Sequence, residues 1–205
     1  PIFAVIIVNQ TYYNFGLIRQ IQILSGMRQQ PIPRQRLQIK TIDDCGFVFY
    51  FNAAAACAAI ITNEKGELLV GIRAQEPQKG TFDLIGGFVD PGESSDQAII
   101  REIKEETGID IESLIQQGEA EMKFMFSLPS TYLYSELTIH SCDAFYHIRI
   151  PSDTPFKAAD DVASCRWMAP QDVQPERFGL TSIREAVRRY VSDEKKPAVK
   201  REQNQ

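Results

Sequence analysis

The pattern of apolar and polar positions along this 205-residue chain changes near residue 47. Before it, residues 1 to about 44 are rich in Gln, Arg and Ile, and Pro31 and Pro33 break any continuous helix. From there Phe47-Val48-Phe49-Tyr50-Phe51 is aromatic and β-branched, which predicts a strand. Ala53 to Ile61 has alanines that favour helix by propensity. It runs into the turn Asn63-Glu64-Lys65-Gly66 and then Leu68-Leu69-Val70-Gly71-Ile72, so two strand-length runs around a Gly turn predict a hairpin. A loop of turn formers, Gly86-Gly87 through Pro91-Gly92, leads into a helix. Ser94 with Gln97 makes a capping box, Gly108 supplies the stop, and Ile99, Ile100 and Ile103 form an apolar side. Further strands are expected over Lys123 to Leu128, Leu137 to Ile150 and Val162 to Met168. A last helix is expected after Ser182, paired with Glu185 in a second capping box. Its Ile183, Ala186, Val187, Tyr190 and Val191 recur at helical spacing, and the charged tail from Ser192 is expected to fray. Strands, helix, strands and helix without regular alternation predict an α+β sandwich with a mixed sheet.

Composition narrows the class. Hydrophobic residues at 43% and charged residues at 24% are ordinary for a globular chain. Lys+Arg 22 against Asp+Glu 27 gives a net charge of -5 and no basic field, so no nucleic-acid partner is expected. The more basic stretch with Arg28, Arg34, Arg36 and Lys40 reads as solvated surface. No run approaches a membrane span of roughly 20 apolar residues, so no membrane partner is expected. The apolar opening Pro1 to Val8 lacks the basic flank of a signal peptide, and a start at Pro1 without Met suggests a fragment or a processed form. Cys45, Cys57, Cys142 and Cys165 form no C-x-x-C pair, which points to reduced thiols and a cytoplasmic location. Gly86-Gly87 with Gly92 does not make G-x-G-x-x-G, and no Walker lysine follows. His140 and His147 fall in expected strands and suit partly buried, hydrogen-bonded roles.

The chemistry concentrates in one helix. Glu102, Glu105 and Glu106 stand at i, i+3 and i+4, so their carboxylates share a face away from Ile99 and Ile103. Crowding like charges costs about 0.2–0.5 kcal/mol per i,i+4 pair on an isolated helix. Arg101 relieves part of it, and a hard divalent cation would relieve more. Oxygen ligands without nearby His or Cys suit Mg²⁺ or Mn²⁺. The implied chemistry is metal-assisted attack of water on phosphorus.

From Gly87 to Ile109 the segment matches G-x5-E-x7-R-E-U-x-E-E-x-G-U, with U aliphatic, at every specified position. It resembles the Nudix box. The resemblance implies an α/β/α sandwich over residues 45–192 and Mg²⁺- or Mn²⁺-dependent hydrolysis of a nucleoside diphosphate linked to another moiety. It makes Glu102, Glu105 and Glu106 the metal ligands, with the Gly87 carbonyl assisting, and leaves Arg101 and Glu93 to hold the loop–helix geometry. Cys45-Gly46-Phe47, Gly66-Glu67-Leu68-Leu69, Gly80-Thr81-Phe82-Asp83-Leu84 and Asp160-Asp161-Val162 before Arg166-Trp167 resemble the NADH pyrophosphatase branch, where Asp161 would add a metal ligand. That branch carries a four-cysteine zinc ribbon. Here only Cys45 matches it, with Ile42 in its partner's place, so no structural zinc is expected. The S-Q-P-W-P-F-P-x-S signature linked to NADH is replaced by Phe126-Ser127-Leu128-Pro129-Ser130, which leaves ADP-ribose or another dinucleotide open. Residues 1–44 form an extension and 193–205 a tail, and a homodimer is compatible with this organisation. Phe126, Tyr132 and Tyr134 are candidates to stack on a base or to pack, and Trp167 to form core or pocket wall. Glu136, in an expected loop from Leu128, is a candidate base. A nucleotide-binding regulatory module and a nucleoside triphosphate pyrophosphohydrolase are the alternative readings.

Overall fold

The computed structural model describes residues 39–42, 47–50, 52–134 and 137–194. They fall into two compact units that divide between Asn52 and Ala53. The expected extension and tail lie mostly outside the described residues, as do Cys45 and Glu136. In the first unit, strand β1 (Ile39–Ile42) pairs antiparallel with β2 (Phe47–Tyr50), which is the predicted aromatic strand.

The second unit is built on a mixed sheet. Its strands are β3 (Ala54–Thr62), β4 (Leu68–Arg73), β5 (Phe82–Asp83), β6 (Ile85–Phe88), β7 (Glu121–Tyr134), β8 (Leu137–Arg149) and β9 (Val162–Met168). Helices α1 (Ser95–Thr107), α2 (Ile111–Gln116) and α3 (Thr181–Glu194) complete it. The order β5-β4-β3-β8-β7 carries β6 on β3 and β9 on β4. Strands β3 and β8 run parallel from Ala54↔Ser141 to Thr62↔Arg149, and the other pairings are antiparallel.

Strand β3 shows why the sheet sits between layers. Ala59 and Ile61 join the buried cluster of Ile99 and Ile103 on α1, whereas Ala58 and Ile60 join that of Ile183, Ala186 and Val187 on α3. Small and apolar residues continue without alternation because both faces are covered. Ile99 and Ile103 are fully buried. At roughly 2 kcal/mol each, they outweigh the tenths lost by crowding three glutamates on the same helix.

The predicted hairpin is present, closing at Thr62↔Leu68 with Asn63 Oδ1 accepting the N–H groups of Lys65 and Glu67 at 3.0 Å. The cap of α1 is also as read: the Ser94 N–H donates to Gln97 Oε1 at 2.9 Å, and Gly108 closes the helix at φ 73°. Four expectations change. Gly86-Gly87 lies in a strand, because β6 pairs with β3 through Cys57↔Gly87 and Ala58↔Gly86. The expected loop after Leu128 is strand through Tyr134; β7 is an edge strand, so Pro129 sacrifices no ladder donor inside the sheet. There is no second capping box: Thr181 starts the helix, Ser182 is buried within it, and Glu185 accepts from Arg188 and Arg189. His140 is exposed, whereas His147 bonds Thr62 Oγ1 at 2.8 Å as expected for a structural histidine. No helix among the described residues is long and apolar enough to cross a membrane.

Candidate active site

Segment 82–88 leaves β4 at Asp83 and joins β3 at Ile85, so the loop after it, 89–94, springs from the middle of the sheet into α1. Two glycines permit that crossing. A Cβ at Gly86, where φ is 154°, would stand 2.2 Å from the Cys57 carbonyl oxygen. A Cβ at Gly87 would stand 2.4 Å from Glu102 Oε1, so the β6 backbone and the helix carboxylate are in direct apposition.

Arg101 fastens the loop to the helix. Its Nε and Nη2 donate to the two oxygens of Glu93 at 3.0 Å, and Nη1 to Glu102 at 2.8 Å and Glu105 at 2.9 Å. Nη2 also donates to the Phe88 carbonyl at 3.1 Å. Every N–H donor of the guanidinium thus has an acceptor. The Arg101 bond holds Glu93 below the usual carboxylate range, and Glu93 in turn accepts the Asp90 N–H at 3.0 Å.

The three helix glutamates differ in environment. Glu105 is half exposed, and Glu102 is mostly buried. Burial raises Glu102, Arg101 opposes that, and the charges of Glu105 and Asp160 add to it. Glu106 is 5% exposed, and its Oε2 accepts the Gly86 N–H at 3.0 Å. Burial pushes it up to about 9; the Gly86 bond opposes this, and Glu102, Asp83 and Asp161 reinforce it. Among the described residues no three His, Cys, Asp or Glu side chains converge as a ready cation cage. Glu102 and Glu105 are turned to Arg101, and Glu106 to Gly86.

Asp161 approaches from the loop before β9. Ala159 N–H donates to the Glu106 carbonyl at 2.8 Å, and Ala74 N–H to the Asp161 carbonyl at 2.8 Å. Thus Gly87, Glu93, Arg101, Glu102, Glu105 and Glu106 form one connected site, while Asp161 joins through its field on Glu106. Beneath it, the Cys57 thiol contacts the Gly87 carbonyl at 3.7 Å, and burial pushes it up to about 12. The stacking candidates separate. Phe126 packs on Phe145 with Arg189 over its ring, Tyr132 meets Phe88 edge-on at 5.9 Å, and the Tyr134 side chain is outside the described ones. Trp167 packs edge-on against Phe156 at 6.0 Å. Residues that the sequence did not single out also stand here. Arg73 pairs with Asp83, and nothing in their spacing announces that pair because it depends on the β4–β5 register.

Fold and site together define an α+β sandwich that presents glutamates from a glycine-strand, loop and helix unit. The chain belongs to the NUDIX domain family, whose profile matches residues 52–190. It is 44% identical over 71 residues to an ADP-ribose pyrophosphatase of Methanocaldococcus jannaschii, covering 35% of this chain and 41% of that protein. It is 20% identical over 133 residues to the NAD-capped RNA hydrolase NudC of Pseudomonas putida, covering 65% and 43%. The chain therefore spans less than half the length of these relatives. The NUDIX domain of Shewanella oneidensis NrtR, solved with ADP ribose, superposes with a TM-score of 0.54 at 15% identity, covering 69% of this chain and 88% of that one.

Proposed function

We propose that this chain is a Mg²⁺- or Mn²⁺-dependent pyrophosphohydrolase that cleaves the diphosphate linkage of a nucleoside diphosphate derivative, of the ADP-ribose or dinucleotide type. The observation that carries the reading is Glu106, a buried carboxyl pressed by the fields of Glu102, Asp83 and Asp161. Such a cluster is unfavourable alone and becomes favourable around a hard cation with oxygen ligands. Glu102, Glu105 and Glu106 are the proposed ligands, with the Gly87 carbonyl and Asp161 completing the set. The donor chemistry fits, because every one of these groups offers oxygen. When bound, the cation would supply Lewis-acid polarisation of the phosphoryl oxygens and an activated water. The protein's part is positional: Arg101 and Glu93 fix the loop against α1, and Gly87 leaves room for Glu102 beside the strand. The relatives named for ADP-ribose and for NAD-capped RNA support a substrate with a diphosphate between two moieties. Residues 45–192 are the proposed catalytic domain, with 1–44 an extension and 193–205 a tail.

Product analysis tests this reading. ADP-ribose and water should give AMP and ribose 5-phosphate with Mg²⁺ or Mn²⁺ and nothing in EDTA. Nucleoside triphosphates yielding monophosphate and pyrophosphate, with ADP-ribose untouched, would overturn the substrate class. A second reading is a nucleotide-binding module without turnover. Its support is that Glu102 and Glu105 are engaged by Arg101. Tight ADP-ribose binding with no cleavage under any metal would favour it.

A further inference from the structure

Away from the glutamates, two arginines are gathered on one aromatic ring without an acidic partner. Phe82 is 4% exposed and belongs to the buried cluster beneath α3. Arg166 lies on β9, which pairs only with β4, and its guanidinium carbon stands 5.3 Å from the Phe82 ring centroid. Arg177 ends a short 3-10 turn, Pro175–Arg177, and its guanidinium carbon stands 4.0 Å from the same centroid. Both arginines are exposed at the surface. Contact with a ring engages the flat face of a guanidinium and leaves its in-plane N–H donors for other partners.

The surroundings withhold the usual carboxylates. In the β9–β4 ladder Arg166 stands opposite Val70, and Leu68 and Ile72 flank Val70 on the same strand face. Glu176, next to Arg177 in sequence, pairs with Arg188 at 3.5 Å instead. Among the described residues, neither guanidinium has an ion pair or a side-chain hydrogen bond. Arg73, Arg101 and Arg189, by contrast, each pair with a carboxylate. In a chain of net charge -5, acidic side chains are in excess, so two unpaired neighbouring cations do not reflect a shortage of partners. Like charges collected on one ring repel, and an anion held across them removes that repulsion. Two planar forks with open donors suit the oxygens of a phosphate group, which accept paired N–H bonds.

We propose that Arg166 and Arg177, seated on Phe82, form a second anion site that takes a phosphate group. Phe82 and Val70 belong to the cluster under α3, whereas Ile99 and Ile103 of α1 belong to the cluster on the other face of the sheet. The site is therefore separate from the glutamates, and the inference does not depend on the pyrophosphohydrolase reading. The negative net charge offers a polyanion no general attraction, so capture falls to these two forks. Each phosphate neutralised on a single strand contributes about −0.7 to the slope of log K against log salt, so two contacts predict about −1.4.

The test uses the full chain in EDTA, so that no cation loads the carboxylates and turnover plays no part. A fluorescently labelled short single-stranded RNA is titrated at several salt concentrations and read by anisotropy. Inorganic phosphate is titrated alone by calorimetry and added as a competitor of the RNA. Wild type is expected to bind with a slope of about −1.4. R166Q and R177Q should each weaken binding by about 10-fold and bring the slope to about −0.7. R149Q, which removes an exposed arginine on β8, should change neither. Displacement of the RNA by phosphate would support the site with a free phosphate as ligand, and retention of the RNA would support it with a phosphodiester strand as ligand. Folded wild type that binds neither probe would overturn the proposal. So would wild-type affinity in R166Q and R177Q, or an equal loss in R149Q. Should the glutamine variants fail to fold, R166K and R177K decide, because each keeps the charge and loses the fork. They should weaken binding by about 3–10-fold, and wild-type affinity in both would reduce the pair to a cover for Phe82.

Discussion

Arg101 and Arg73 are both held by carboxylates, but their donors are used differently. Arg101 spends every N–H on Glu93, Glu102, Glu105 and the Phe88 carbonyl. Arg73 is pinned by Asp83 and Pro77 and retains part of its fork. Arg101 thereby ties a loop to a helix, whereas Arg73 ties one strand to its neighbour. The comparison also separates the carboxylates. Glu93 and Asp83 are held by arginine, while Glu106 is buried against a single backbone N–H and pressed by like charges. Glu102 and Glu105 stand between these cases, paired with Arg101 yet proposed with Glu106 to hold the cation.

The hardest blow to this division is Glu106→Gln. It should lower kcat roughly 10²–10³-fold, the scale for losing one preorganised electrostatic stabiliser, while circular dichroism and melting show an intact fold. Full metal-dependent turnover in that variant would remove Glu106 from the chemistry. Next comes the glycine pair. Gly86→Ala forces a Cβ onto the Cys57 carbonyl at 2.2 Å and should destabilise by about 3 kcal/mol. Gly87→Ala meets only the flexible end of Glu102 at 2.4 Å, so denaturant melts should stay near wild type while activity falls. Equal destabilisation of both would erase the distinction. Arg101→Lys keeps the charge and loses the multidentate hold; unfolding titrations should show a loss of about 2 kcal/mol.

The gentlest test is a slope with pH. Glu106 moves from an ordinary 4.5 to about 9, so between those values the metal-free fold binds more protons than the unfolded chain. Stability from this group is therefore greatest below 4.5 and declines as pH rises toward 9. Melting in EDTA should fall across that window, Glu106→Gln should flatten the fall, and added Mn²⁺ should oppose it increasingly at higher pH. A melting temperature in EDTA that rises through this range would contradict the burial of Glu106.

The helix of the site was legible because its signals are local. Ser94 with Gln97, the isoleucines and Gly108 all act within a turn or two of one another, as do Arg101 and Glu105. The strand at Gly86-Gly87 was not legible. Its glycines read as a turn, and only pairing with β3 reveals the extended backbone. Pro129 likewise suggested an ending, and only the edge position of β7 explains its tolerance. The short helix α2 was overlooked because its six residues give little periodicity, although Asp110 caps it by accepting the Ser113 N–H. Arg73 and Asp83 come from separate strands, and their meeting depends on register that no local pattern encodes.

The most direct measurement is metal-dependent product release from ADP-ribose, NADH, NAD, diadenosine polyphosphates and nucleoside triphosphates, read by chromatography with Mg²⁺, Mn²⁺ or EDTA. The account predicts cleavage within the diphosphate of ADP-ribose or a dinucleotide, with AMP among the products, only when metal is present. Silence across the panel from a folded chain that still binds ADP-ribose would contradict it.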